Sequence, residues 1–443
     1  MHMKILRVFT IILFLSLCVM SIEGLWEIND FLLLGLFVFW LLLDVVTYPK
    51  RSFLNSIIFI TILFNVLGVF AIEHSESSYY LYEIEQWISY TGSIPVLFLF
   101  QSFFLLGIYL FIGENKIINF SVKNIQYKSI FLLLLYCLLI ATYLLIIVHK
   151  PAPVLSVDRF VYDKEILGRF GQLTNVLFYF SFGLGILFFK EKNKLYLFLL
   201  FSIQLAFLLK GHKFWNLIEI FFLFFIPYVS YISRKKVIKV FFLLLIFLFI
   251  LILTAININI YYFPSFEPMD YARQRLSQEG QLWWSTFLNY ENVVRLSELI
   301  DEFKIYFSLN EYNQYDIGMY KVMQLNTTEE RFEWKLERLS RFTYSTPALI
   351  YYYLGGYLGM FFMFICGVIS GIWLRIVIYC MVYGDLVMSL LLARLFYILR
   401  KAVKDGDFYK FFSTEFILIF VTMFLLCFIH NRNSFFKNKE LID

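Results

Sequence analysis

The stretch VFFLLLIFLFILILTAI (240–256) runs without a single charged residue. A helix needs about 20 apolar residues to cross the hydrocarbon core of a bilayer, so a block of this kind with its flanks is a membrane span. Comparable blocks recur along the chain. They predict about twelve transmembrane helices, near 5–22, 31–48, 53–72, 92–112, 129–148, 173–189, 195–209, 214–232, 238–262, 346–373, 376–399 and 411–430. The expected fold class is an all-α polytopic integral membrane protein. Residues 1–443 form one polytopic membrane domain, and 263–345 is a large outer loop within it that carries amphipathic helices.

Composition points the same way. The chain is 60% hydrophobic and 16% charged, against roughly 45–50% and about 25% in soluble domains. A soluble globular enzyme is excluded. A net charge of +5 is too small for a nucleic-acid-binding protein of this size. The basic start (Lys4, Arg7) leads into an apolar run with no small-residue cleavage site, so it reads as an uncleaved first span. The five cysteines, Cys18, Cys137, Cys366, Cys380 and Cys427, all fall in apolar stretches and read as small core residues. No CxxC, HExxH or His/Cys cluster occurs, and no metal or cofactor is expected. No internal repeat of the transporter kind is apparent.

Short loops rich in Lys and Arg stay on the cytoplasmic side. PKR (49–51), KEKNK (190–194), RKK (234–236) and the two termini are basic, whereas 22–30 and 73–91 hold acidic residues and no Lys or Arg. Both termini are therefore expected inside. On that topology the outer loops hold nine arginines and the cytoplasmic side five. Arginine grips phosphate or carboxylate through two parallel hydrogen bonds, so the bias signals an anionic ligand on the outer face.

Within the large loop, FPSFEPMDYARQRLSQEGQLWWSTFLNY (263–290) leaves the ninth span through two prolines and enters a short helix. Arg273 and Arg275 suit phosphate. Gln278 and Gln281 suit sugar hydroxyls, and Trp283 beside Trp284 offers an indole face to a pyranose. The competing reading is an interfacial helix. The stretch EERFEWKLERLSRF (329–342) reads as an amphipathic helix with Arg331, Lys335 and Arg338 on one face and Phe332, Leu336 and Leu339 on the other. Glu337 and Arg341 stand at i, i+4. Its basic residues, Arg338 and Arg341 among them, suit either an anionic substrate or anionic lipid.

Four further places carry charge in or near the membrane. KGHK (210–213) separates two nearly continuous spans, so Lys210, His212 and Lys213 sit at the outer edge, as functional cations or as snorkelling turn residues. The loop VDRFVYDKEILGRFG (157–171) brings Arg159 and Arg169. Glu219 lies inside a span, as a base or as the partner of a cation from another helix. DGD (405–407) matches a short metal-binding pattern, and EIE (83–85) is a second acidic cluster. Gly355/Gly359 and Gly367/Gly371 form small-xxx-small pairs that predict close helix packing.

RQRLSQEGQLWW (273–284) in a large outer loop resembles the Arg-and-Gln-rich segment of the bacterial O-antigen polymerase (Wzy) family. The Gly-centred break KGHK, the stretch TPALIYYYLGGYLGMFFMFICGVISG (346–371) and the late Gly-Asp turn DGDF (405–408) resemble it too. Lys213 stands where that family commonly has arginine. The resemblance implies a glycosyltransferase of the inner membrane of Gram-negative bacteria, acting at the periplasmic face in lipopolysaccharide biosynthesis. Its substrates would be undecaprenyl-diphosphate-linked oligosaccharides, with membrane lipids around it and a chain-length regulator and flippase of the same pathway as partners. Arg273, Arg275, Arg169 and Lys213 would surround the diphosphate, with Arg159 as a further contact. His212, Glu279 or Asp270 would deprotonate the acceptor hydroxyl. A lipid-linked oligosaccharide flippase and an O-antigen ligase are the alternatives.

Overall fold

The computed structural model describes residues 2–75, 79–112, 125–149, 174–211, 214–231, 268–307, 317–337 and 344–439, with isolated positions at 162, 167, 168, 171, 236, 238, 239, 242, 246, 253, 257, 341 and 342. The chain opens with α1 (His2–Ile22), α2 (Asp30–Thr47), α3 (Pro49–Leu54) and α4 (Ser56–Glu73). A short hairpin follows, β1 (Tyr80–Leu81) and β2 (Gln86–Trp87), then α5 (Ile94–Phe111) and α6 (Lys128–His149). Next come α7 (Phe180–Glu191), α8 (Leu195–Leu209), α9 (Phe214–Phe225) and α10 (Tyr228–Tyr231). The region of the large loop holds α11 (Pro268–Ser277), α12 (Gln281–Asn289), α13 (Leu296–Phe307), α14 (Gly318–Asn326) and α15 (Glu329–Glu337). The last helices are α16 (Thr346–Tyr383), α17 (Leu386–Lys404) and α18 (Thr414–Lys439).

Six of these helices are long and apolar enough to cross a membrane: α1, α2, α4, α5, α6 and the Thr346–Ile378 part of α16. Leu195–Leu209, Trp215–Phe225 and Thr414–Leu426 are shorter apolar helices. The chain is a mostly helical membrane protein. Two sequence expectations need correction. The hairpin, with Tyr80 opposite Trp87 and Leu81 opposite Gln86, is a small antiparallel exception to an all-α chain. The expected single span at 376–399 is divided instead. α16 runs on past Arg375 and turns at Gly384, whose φ of 66° suits a residue without Cβ. Asp385 then caps α17, its Oδ1 accepting from the Met388 N–H at 3.0 Å.

The chain divides into two compact units. The first comprises 1–116, 232–372 and 401–409. Here α1 packs on α2 and α5, and α4 on α5. Phe14, Phe37 and Phe98 meet with ring centroids 5.1–5.6 Å apart at its apolar centre. At one end Asp44 joins Arg7 and Arg51. At the other, Asp30 meets His74 at 3.2 Å and Glu73 accepts from the Thr91 N–H at 2.7 Å. The basic and acidic loops of the sequence are thus opposite ends of one antiparallel bundle.

Small residues set its closest contacts. A Cβ at Gly367 would lie 2.0 Å from the Phe104 carbonyl oxygen, and one at Gly107 would lie 2.2 Å from that of Phe364. Gly359 sits under Phe100. The pairing expected of Gly359, Gly367 and Gly371 is therefore packing of α16 on α5. Gly355 does something else. Its φ of 65° interrupts α16, and Arg295 collects the freed carbonyls. The Arg295 backbone N–H donates to the Tyr353 oxygen at 2.7 Å, and its guanidinium donates to that of Tyr352 at 2.8 Å. Arg295 thus satisfies the broken helix end through both its backbone N–H and its side chain.

The second unit comprises 117–231, 373–400 and 410–443. α7 lies against α9, where a Cβ at Gly185 would stand 2.1 Å from the Phe224 carbonyl oxygen. α8 packs on α6 and α7.

Candidate functional site

α11 begins with Pro268 and Asp270 in its first turn and ends with Arg275 in its last, an order that suits the helix dipole. It stops where Gly280 meets α4. A Cβ at Gly280 would lie 2.2 Å from the Val69 nitrogen, so only glycine lets the segment descend onto the bundle here. The Asn65 amide of α4 donates to the Glu279 carbonyl at 2.7 Å, and Gln101 donates to Asn65 at 3.1 Å and to the Tyr344 hydroxyl at 3.2 Å. These buried amides pin the end of α11 to the spans.

Arg273 and Arg275 point outward. Both are exposed, and neither makes an ion pair among the described residues. The Arg273 guanidinium stands 5.7 Å from the Tyr79 ring at the base of the hairpin. Burial pushes the Tyr79 phenol up, and the Arg273 charge pulls it partly back. Arg275 donates to the Gln278 amide oxygen. Asp270 is exposed and Glu279 half-buried.

The second half of RQRLSQEGQLWW faces the other way, which corrects two expected roles. Trp283 is 0% exposed. It packs on Phe100 at 5.2 Å and Tyr351 at 5.5 Å, leaving no indole face for a sugar. Gln281 is buried too and donates to Glu83 at 2.6 Å. α12 spends these side chains on seating the loop. The exposed aromatic face lies on the hairpin instead. Tyr80 contacts Trp87 at 5.0 Å and Tyr82 at 5.3 Å, and Trp87 and Tyr82 are each largely exposed. Rings of this kind cover the apolar faces of sugars.

α15 also departs from its expected face. Lys335 is buried and bonded to Glu83 at 2.8 Å, so it does not join Arg331 on a lipid-facing stripe. Arg341 pairs with Asp407 at 3.1 Å rather than with Glu337, and stacks 4.3 Å from the Tyr320 ring. Asp407 of the DGD turn is 1% exposed, held by Arg341 instead of offered to a metal. Arg341 is thereby committed to the fold.

Beside this pair lies an acid that sequence reading missed. Glu302 of α13 accepts from the Gly318 N–H at 2.6 Å and from the Tyr353 hydroxyl. Burial holds its carboxyl above the ordinary glutamate range. The Tyr353 and Gly318 donors oppose that shift, and nearby Asp407 reinforces it. Because the folded value is raised, the stability this group supplies is complete below the ordinary range and is lost as pH rises through the raised value. Glu302→Gln keeps the shape and removes the titration. Thermal unfolding measured from pH 4 to pH 8 should therefore decline less with pH in the variant than in the parent.

In the second unit Lys210 is 1% exposed. It donates to Thr174 at 2.6 Å, Asn175 at 2.7 Å and the Gly171 carbonyl at 3.2 Å. A lysine buried among oxygens does not snorkel. Glu219 pairs with Arg400 at 2.6 Å, so of its two expected roles the structure adopts the ion pair. Arg159, Arg169, His212, Lys213 and Arg338 lie outside the described residues.

Residues 312–421 match a family of unknown function, DUF6418. The matched segment includes Arg341, Gly355 and Asp407, and leaves out Arg273 and Arg275. No curated protein and no solved structure matches the chain.

Proposed function

We propose that this protein is a surface-polysaccharide polymerase of the O-antigen (Wzy) kind. It would sit in the inner membrane of a Gram-negative bacterium with both termini cytoplasmic. The six long apolar helices would be part of a set of about twelve. It moves a growing glycan from undecaprenyl diphosphate onto an incoming lipid-linked repeat. The observation that carries this reading is the pair Arg273 and Arg275. Both are exposed and without an ion pair among the described residues, on a helix pinned to the spans by buried amides.

The diphosphate leaving group needs its departing charge stabilised more than it needs a proton. Two guanidiniums fixed near the membrane surface do that. Glu279, four residues past Arg275 in the chain, is proposed as the carboxylate that accepts the acceptor hydroxyl's proton, with His212, outside the described residues, as the other candidate base. Trp87 and Tyr82 on the neighbouring hairpin take the sugar-platform role first expected of Trp283. Arg159, Arg169 and Lys213 lie outside the described residues, and as diphosphate contacts they rest on the sequence resemblance alone.

Arg273→Ala and Arg275→Ala should each lower chain extension about 100-fold or more, the usual loss for one charge-stabilising donor. In cells the lipopolysaccharide ladder should collapse to a single repeat. A normal ladder in both variants would end the proposal. A deletion strain that holds polymerised but unattached lipid-linked chains would instead identify a ligase. One that accumulates lipid-linked repeats on the cytoplasmic side would identify a flippase.

A further inference from the structure

We propose that the first unit carries a second anion site, at the end where α1 and α4 begin and α2 and α5 finish. Its ligand is a phosphate-bearing anion, either a lipid headgroup or free phosphate. The antiparallel order of the four spans brings Arg7, Asp44, Arg51 and Tyr109 together there. Asp44 is fully buried and accepts from Arg7, from the Tyr109 hydroxyl and from Arg51 at 3.0 Å. The Arg51 guanidinium lies between two rings, 4.2 Å from that of Tyr48 and 4.0 Å from that of Tyr109. Among the described residues two guanidiniums thus face one carboxylate, and one positive charge is left over.

Beside them Arg51 Nε, Ser52 Oγ, Thr47 Oγ1 and both amide atoms of Asn55 are buried without a hydrogen-bond partner among the described residues. Asn55 is 0% exposed. Arg51 and Asn55 stand one helical turn apart, on the same face. A buried donor left unbonded is costly, and four of these atoms within nine residues, Arg51 Nε, Ser52 Oγ, Thr47 Oγ1 and Asn55 Nδ2, carry hydrogens that call for an acceptor. Water would satisfy the hydrogen bonds and leave the charge. A phosphate oxyanion balances the charge and accepts from the guanidinium, hydroxyl and amide N–H donors. The site is independent of the polymerase reading, since it lies at the opposite end of the bundle from Glu73 and the hairpin.

The test uses the full chain purified in a neutral detergent. Phosphatidylglycerol, diacylglycerol and inorganic phosphate are added separately, and bound mass is read by native mass spectrometry alongside the melting temperature. Phosphatidylglycerol or phosphate should bind and raise the melting temperature by several degrees, and diacylglycerol should not. Which of the two active probes binds tells a headgroup site from a free-phosphate site. Asn55→Leu removes the unbonded amide but leaves Arg7, Asp44 and Arg51 in place, so it should fold and bind about tenfold more weakly. Ser52→Ala serves as the second variant. The proposal fails if neither charged probe binds the parent protein, or if both variants bind as tightly as the parent.

Discussion

Gly367→Leu should abolish recovery of monodisperse protein from detergent extracts. At this position α16 touches α5 backbone to backbone. A Cβ would lie 2.0 Å from the Phe104 carbonyl oxygen and 2.9 Å from its carbon. The opposite glycine, Gly107, is equally closed, with the Phe364 oxygen at 2.2 Å. Extra volume in a packed core typically costs about 1–3 kcal/mol when side chains can shift. Here the obstruction is main chain, and relief requires the two helices to separate along their length. Helices in a membrane associate largely through such close packing, because lipid tails exert no net hydrophobic drive between them. Gly371 is the internal control, since the atom nearest its Cβ, the Ile108 oxygen, is 2.9 Å away. Size-exclusion profiles should rank Gly367→Ala as more damaging than Gly371→Ala. Equal, mild effects would mean that the contact does not hold the unit together.

Asp44→Asn should be the most destabilising single charge change in the first unit. The carboxylate is 0% exposed and is the shared acceptor for Arg7, Arg51 and Tyr109. Removing one partner of a buried ion pair typically costs about 3–5 kcal/mol, because the other charge stays buried without compensation. Here two guanidiniums would be stranded. The asparagine retains the size and one acceptor oxygen, so the loss reports charge more than packing. The check is the melting temperature in detergent, with Arg394→Gln as comparison. That residue's ion pair with Glu415 is partly exposed, and pairs of that kind contribute roughly 0–1 kcal/mol. A smaller drop for Asp44→Asn than for Arg394→Gln would show that the cluster is not a structural tie.

The membrane class of this protein was legible because it depends on composition over runs of about 20 residues. The positions of α1, α2, α4, α5 and α6 follow directly from those runs, and the opposition of basic and acidic ends follows from loop charge. The site was legible only in part. Arg273 and Arg275 lie exposed on a short helix, as their surroundings in the sequence suggested. Trp283 and Gln281, a few residues on, turned inward once Gly280 allowed α12 to seat against Phe100 and Glu83. Periodicity shows that a helix has two faces, but not which face meets the core when both carry aromatic and polar groups. The ends of charged pairs were equally hidden. Arg341 has an acid at i−4 in Glu337, yet its partner is Asp407, 66 positions away.

Local sequence therefore determined what is cheap to place in lipid and what is not. Apolar runs became spans, and charges gathered at their ends. Tertiary structure alone decided which cation meets which anion and which glycines let backbones touch. It also decided which aromatic rings remain outside. Burial energy is a property of each residue, whereas pairing, close approach and residual exposure are properties of residues far apart in the chain.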